Sequence, residues 1–296
     1  MRKRRLRQGS AKATALRLVS TGHSIVRKHL VEMIGRRVSD GSILRLIGKW
    51  INVGVLEEGR LLETEHGVGQ GQVISPFLAN VYLHHVLDKW FEGEVKPRLH
   101  GKAYLVRYVD DAVICFQNAE DAQRVLKVLD KRFSNYGLTL HPEKTRLVKF
   151  GRAALEEAER MGKAPDTFDF LGLTHIPERS RRGFYRPGVR TMKKRLRRGL
   201  QEIGRWCKQN RHEPVRKQQE TLNAKLRGHY QYYGRSSNFR SLWGFYNAVK
   251  RIWRKWLSRR TRGAPMYWKQ FTNFLSRHPL LTPTIAHSWA RSGRPA

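Results

Sequence analysis

The sequence predicts an α+β fold followed by an all-helical region, and three observations carry that expectation. Two runs rich in aromatic and β-branched residues, 103–109 and 112–116, flank Asp110-Asp111 and read as a strand hairpin with the acids at its tip. Segments of helical period stand before and after this hairpin, so an antiparallel sheet with helices on one face is the simplest layering. Beyond about residue 190 only helical spacing remains, in three apolar stripes.

The elements follow in order. MRKRRLRQ opens the chain as a run of cations with no apolar stretch behind it, so residues 1–29 are expected to form an irregular basic arm rather than a leader. Leu30, Met33 and Ile34 then share one helical face, and Leu44, Ile47 and Ile51 another, with Asp40-Gly41 between them. GVGQGQVISP, residues 67–76, is a glycine-rich loop, and Ser75-Pro76 can cap and open the next helix. That helix is expected to run to about Phe91, mostly buried through Leu78, Val81, Tyr82, Leu83, Val86, Leu87 and Trp90. After the hairpin, Ala122, Val125, Leu126 and Leu129 mark a helix over 119–136. GLTLHPEKTRLVKFGR reads as turn, strand, loop, strand, and FDFLGLTHI as a short strand pair. ERSRRGFYRPG reads as a linker. The three stripes are Leu196, Leu200 and Ile203; Leu222, Leu226, Tyr230 and Tyr233; and Leu242, Phe245, Val249, Ile252, Trp253, Trp256 and Leu257.

Charge is distributed unevenly. Residues 1–31 hold nine Lys/Arg and no acid, residues 32–178 hold 20 Lys/Arg against 21 acids, and residues 179–296 hold 30 against three. A near-neutral middle with two cationic ends attracts polyanions by counterion release, and the size of the excess favours nucleic acid over acidic lipid or a merely solvated face. Cys115 and Cys207 are the two cysteines, which excludes a disulfide framework and a four-cysteine zinc site and fits a cytoplasmic setting. No run approaches the roughly 18 apolar residues of a membrane helix, so no membrane partner is expected.

Adjacent carboxylates between apolar strands repel each other and are costly to bury. Divalent cations relieve that cost, because Mg²⁺ takes one or two carboxylates and leaves its other positions to water and phosphate oxygens. A solvated Asp-Asp turn between surface strands is the plain alternative.

The order of the motifs resembles a family. Tyr108-Val109-Asp110-Asp111 is similar to the Y-x-D-D box of reverse transcriptases, and GVGQGQVISPFLANVYLHHVLDKW to the segment before that box in group II intron-encoded reverse transcriptases. GLTLHPEKT and FDFLGL resemble the segment after the box and the primer-grip strand. LNAKLRGHYQYYG, NFRSLWGFYNAVKRIWRKWLSRR and PLLTPTIAHSW resemble the maturase-specific region. The resemblance implies an incomplete polymerase palm over 30–177, a linker over 178–190, and a helical thumb and maturase-specific RNA-binding domain over 191–296. It implies Asp110 and Asp111 as Mg²⁺ ligands and catalytic carboxylates, with Lys144 beside the departing pyrophosphate. Gln70, Gly71 and Tyr108 would lie at the template and incoming nucleotide, and Phe170, Leu171 and Gly172 would hold the primer. Arg227, Tyr230, Arg235, Arg240, Lys250, Arg251, Arg254, Lys255, Arg259 and Arg260 would contact RNA. The partners implied are a group II intron RNA and an RNA template with a DNA primer.

One departure bears on activity. The family's two-ion site takes a third carboxylate from an upstream strand, which would fall within residues 1–29, and those residues contain no Asp or Glu. The expectation is an N-terminally truncated family member with an incomplete two-ion Mg²⁺ site and little polymerase activity of its own, unless a separate upstream reverse-transcriptase fragment completes it. A non-catalytic RNA-binding splicing cofactor and an inactive mobile-element remnant are the alternatives. Gly69 and Gln72 also stand where the family usually has Pro and Gly.

Overall fold

The computed structural model describes residues 13–21, 26–52, 55–57, 60–62, 74–143, 145–260 and 265–288. They fall into two compact units, one of residues 1–170 with 177–186 and one of residues 171–176 with 187–296.

The first unit is built on an antiparallel sheet. Ala103–Tyr108 (β4) and Asp111–Phe116 (β5) form the expected hairpin, and β5 continues onto Ala13–Thr21 (β1), which also pairs with Thr139–Leu140 (β6) and Arg146–Phe150 (β7). Short strands Val55–Glu57 (β2) and Arg60–Leu62 (β3) pair with each other. Strand alternation sets the two faces of the main sheet. Leu16, Ala103, Ala112, Ile114 and Phe116 are buried against Arg27–Gly35 (α1), Ser75–Leu83 (α3) and Ala119–Asn135 (α4), through Leu30, Met33, Leu78, Tyr82, Val125, Leu129 and Phe133. Gly41–Asn52 (α2) adds Leu44 and Ile47 to the same core.

The structure departs from the sequence reading in four places. Residues 13–21, expected as part of an irregular arm, form β1, a strand between β5 and β6/β7. The flanking cations hid a segment whose Leu16 is fully buried. The helix from Ser75 continues beyond Phe91 through π-helical turns at His84–Lys89 and Phe91–Val95 and a tight turn at Lys96–Arg98. Arg152–Arg160 (α5) is a helix that no sequence expectation covered. The expected linker is a hairpin of Leu173–Arg179 (β9) and Tyr185–Thr191 (β10), which follow Phe168–Phe170 (β8). Gly183, at φ +78°, closes its turn, and Pro187 is tolerated because β10 is an edge strand.

The second unit packs Lys193–Gln209 (α6), Val215–Tyr233 (α7), Phe239–Leu257 (α8) and Trp268–Arg277 (α9) around one core. Ile203, Leu222, Leu226, Leu242, Phe245, Val249, Trp253, Leu257 and Phe271 are buried there, so the three predicted stripes meet. Fully buried Asn238 is satisfied: its amide donates to Thr191 Oγ1 and the Tyr233 carbonyl, and its Oδ1 accepts from the Thr191 N–H.

His229 lies flat on Phe245, with ring centroids 3.8 Å apart and planes 7° apart. Burial pushes its pKa down to about 4. Because the folded value lies below the unfolded value of about 6.5, the native state holds the neutral ring and stability is lost as pH falls from about 6.5 toward 4. At about 1.4 kcal/mol per pH unit, the loss reaches about 3 kcal/mol. Denaturant melts at pH 7 and pH 4 should show that loss, and His229→Gln should remove most of it. An unchanged difference in the variant assigns the pH dependence elsewhere.

Candidate active site and nucleic-acid interface

The β4–β5 hairpin turns in two residues, because Tyr108 pairs with Asp111 and leaves Val109 and Asp110 as the connection. The acids sit at the hairpin tip, as the sequence reading has it, but Asp110 is exposed, Asp111 half-buried and Tyr108 63% exposed, the open surface of the plainer alternative rather than a buried pair. Val109 takes φ +55°, the left-handed region that two-residue hairpin turns demand and that a β-branched residue resists. Tyr104 and Val106, at alternate positions of β4, share Tyr108's exposed side.

Arg107 points the other way. Its Nε and Nη2 donate to Asp88 Oδ1 and Oδ2 at 2.8 and 2.7 Å, and its Nη1 donates to Asn80 Oδ1 at 2.9 Å and to the Val109 carbonyl at 2.8 Å. Sequence reading missed this residue. The alternation of β4 was the available signal, since it places a guanidinium on the core side of a sheet, where it must find partners.

Register identifies what stands beside the acids on β1: Val19 pairs with Asp111 and Leu18 with Ala112. Among the described residues no group of three or more His, Cys, Asp or Glu could hold a metal ion. Among the described residues, Asp110 and Asp111 are therefore the carboxylates this turn offers to a cation. Two neighbouring carboxylates fit a single hydrated Mg²⁺, which takes one or two such ligands and leaves its other positions to water and phosphate oxygens.

A reverse transcriptase (RNA-dependent DNA polymerase) family model matches residues 23–175, just over half of the chain. The chain belongs to the reverse transcriptase family. The matched residues include the Asp110-Asp111 turn and leave β1 outside. The chain is similar to the group II intron-encoded protein LtrA of Lactococcus lactis subsp. cremoris, at 39% identity over 139 residues, covering 42% of this chain and 22% of LtrA. It is also similar to a 91 kDa protein in the cob intron of Schizosaccharomyces pombe, at 24% identity over 176 residues, with the same 42% and 22% coverage. The chain thus spans about a fifth of the length of these relatives. A telomerase structure from Candida albicans aligns over 90% of this chain and 49% of its own, at 14% identity and TM-score 0.45.

The other expected site residues divide. Gln70, Gly71 and Lys144 lie outside the described residues. Phe170 is buried at the end of β8, in the first unit. Leu171 and Gly172, in the second unit, take φ +49° and +73°. The Tyr232 hydroxyl donates to the Leu171 carbonyl at 2.9 Å; the positive φ of Gly172 favours glycine, and a Cβ there would stand 3.1 Å from the Tyr233 hydroxyl, which would have to give slightly. Val109 and Leu171 are the non-glycine residues of positive φ among the described residues, and in each the strained residue's carbonyl accepts a side-chain hydrogen bond.

Three of the expected RNA contacts have partners within the fold. Tyr230 is 2% exposed and donates to the Leu281 carbonyl, so the apolar stripe claims it rather than a ligand. Arg254 donates to the Met266 carbonyl and stacks on Trp268, 4.2 Å from the ring centroid. Arg260 donates to the carbonyls of His212 and Glu213. Lys250 lies half-buried over Tyr246. Arg227, Arg235, Arg240, Arg251, Lys255 and Arg259 are exposed. Lys255 and Arg259 both lie over the Trp256 ring. Phe239 and Trp243, stacked at 6.2 Å and both more than 40% exposed on α8, are stacking surfaces the sequence reading did not single out.

Proposed function

We propose that this reverse transcriptase binds a structured intron RNA through the basic surface of its second unit and presents Asp110 and Asp111 to nucleic acid, and that alone it extends a primer slowly or not at all. The observation that carries the reading is the register of β1, which sets Val19 rather than a carboxylate opposite Asp111 on the upstream strand where the family's motifs imply a third ligand. Asp110 and Asp111 would hold one hydrated Mg²⁺, which when bound supplies charge neutralisation to phosphate oxygens. Tyr108 offers an exposed ring to a base or sugar beside it. Gln70, Gly71 and Lys144 would serve template, nucleotide and pyrophosphate, and the turn at Leu171-Gly172 would support the primer, as the family's motifs imply.

The RNA-binding half of the reading rests on charge. Nothing acidic follows Glu220; Arg227, Arg235, Arg240, Arg251, Lys255 and Arg259 are exposed, and so are the aromatic rings of Tyr232, Phe239 and Trp243. Phosphate neutralisation makes affinity salt-dependent, with a slope of about −0.7 to −0.9 per phosphate contacted. A filter-binding titration with intron RNA from 50 to 200 mM KCl should lose on the order of a thousandfold in affinity if about six phosphates are held. Asp110→Ala should leave that slope unchanged. Salt-insensitive binding would exclude the proposed interface. Primer extension on an RNA template at an ordinary polymerase rate, abolished by Asp110→Ala, would refute the proposed weakness of the site.

A further inference from the structure

Arg107 is placed for more than an ion pair. Its side chain is 13% exposed and Asp88, its partner, 26%, so the pair is largely shielded and every N–H it carries must find an acceptor. The fork grips Asp88 with two parallel hydrogen bonds, the strongest geometry available to the pair. Asn80 takes Nη1 from the same helix. Asp88 lies in the π-helical turn His84–Lys89 and reaches Arg107 together with Asn80, and such turns recur where helices serve function. The remaining bond leaves the helix: Nη1 donates to the carbonyl of Val109, the residue whose φ of +55° is strained.

We propose that Arg107, backed by Asp88 and Asn80, is a positioning residue that holds the Val109-Asp110 turn in its left-handed form and so fixes the direction in which Asp110 and Asp111 present their carboxylates. This rests on the reading of the turn as a divalent-ion site. A guanidinium is required because only a planar fork can pair with Asp88 and reach Val109 together. A lysine can keep the charge pair with Asp88 and surrender the carbonyl of Val109. Freed from that bond, a β-branched residue relaxes toward negative φ, and Asp110 turns with it.

Arg107→Lys in the full chain tests this, with Mn²⁺ as the probe. The variant should melt within a few degrees of the parent. Its Mn²⁺ affinity, followed by electron paramagnetic resonance, should fall roughly tenfold, as loss of a hydrogen bond to a charged donor implies. The three-bond HN–Hα coupling of Val109, which reports φ without any metal, should change in the same variant. An unchanged coupling together with unchanged Mn²⁺ affinity would overturn the proposal. Should Arg107→Lys fail to fold, Asp88→Asn decides, since it loosens the fork while leaving a neutral acceptor. A parental coupling and parental Mn²⁺ affinity there would equally overturn it. Asp110→Asn distinguishes the two layers. If it leaves Mn²⁺ binding intact, the reading of the turn as an ion site fails, and the coupling constant still judges the role of Arg107.

Discussion

Trp253→Ala should cost the second unit about 3–5 kcal/mol, the range for deleting a buried tryptophan. Trp253 is fully buried near the C-terminal end of α8 and meets Phe271 and Phe274 edge to face, at 6.2 and 5.2 Å between ring centroids. Its indole N–H donates to Oε1 of Gln218, itself 2% exposed, at 3.0 Å. Removing the ring leaves a cavity and strands that oxygen, and an orphaned buried acceptor costs about 1–3 kcal/mol by itself. The Gln218 amide already serves the carbonyls of Arg211 and Glu213, so the side chain cannot turn to water without breaking those bonds. Trp253→Phe keeps one aromatic ring, leaves a smaller void and strands the same Gln218 oxygen, so the difference between the two variants measures the packing of the retained ring. Guanidinium melts followed by the helical signal, with amide exchange along α8, measure both. A loss below about 1 kcal/mol for the alanine variant would mean that Trp253 is not the keystone its contacts describe. The consequence for function is indirect: Arg240, Arg251 and Lys255 are exposed on α8, so fraying of that helix should weaken RNA binding before it abolishes folding.

What the sequence discloses follows the physics of periodicity. The β4–β5 hairpin is legible because β-branched and aromatic residues dominate it, and α6, α7 and α8 because their stripes recur over several turns. β1 is hidden because its neighbours are cationic and its own pattern is short; only pairing with β5 and β7 makes it a strand. The β9–β10 hairpin is masked by Arg181-Arg182 at its turn, which reads as a linker until the strands find each other. Which cations face outward is likewise a tertiary fact. Arg254 and Arg251 are indistinguishable by type, but Arg254 is bound to a carbonyl and a ring while Arg251 is exposed. Tyr230 belongs to the stripe of its own helix, and helical spacing was the better guide to it than the resemblance. Arg107 lay within reach of inference, because a charge at a core-facing strand position must have a partner.

Val19→Asp should convert the hairpin from a two-carboxylate to a three-carboxylate site. The register sets position 19 opposite Asp111, so a carboxylate introduced there shares a sheet face with it at cross-strand distance. Without metal, like charges directly opposite destabilise, and the variant in EDTA should melt below the parent. Each added carboxylate raises the affinity of an oxygen site for divalent cations, so Mn²⁺ or Mg²⁺ should restore the melt and carry it further than in the parent. A ligand present at about 100 times its dissociation constant adds about 2.7 kcal/mol. That metal-dependent melt requires no turnover and is therefore independent of any defect elsewhere in the chain. Primer extension is the second readout. One preorganised charged group is worth on the order of 10²–10³ in rate, so a chain that lacked only this ligand should gain about that much, and Asp110→Asn in the same background should remove the gain. A melt that ignores Mn²⁺ would show that position 19 is not where the acids of the turn find their third partner. A metal-dependent melt without extension would instead put the obstacle to catalysis beyond the carboxylates.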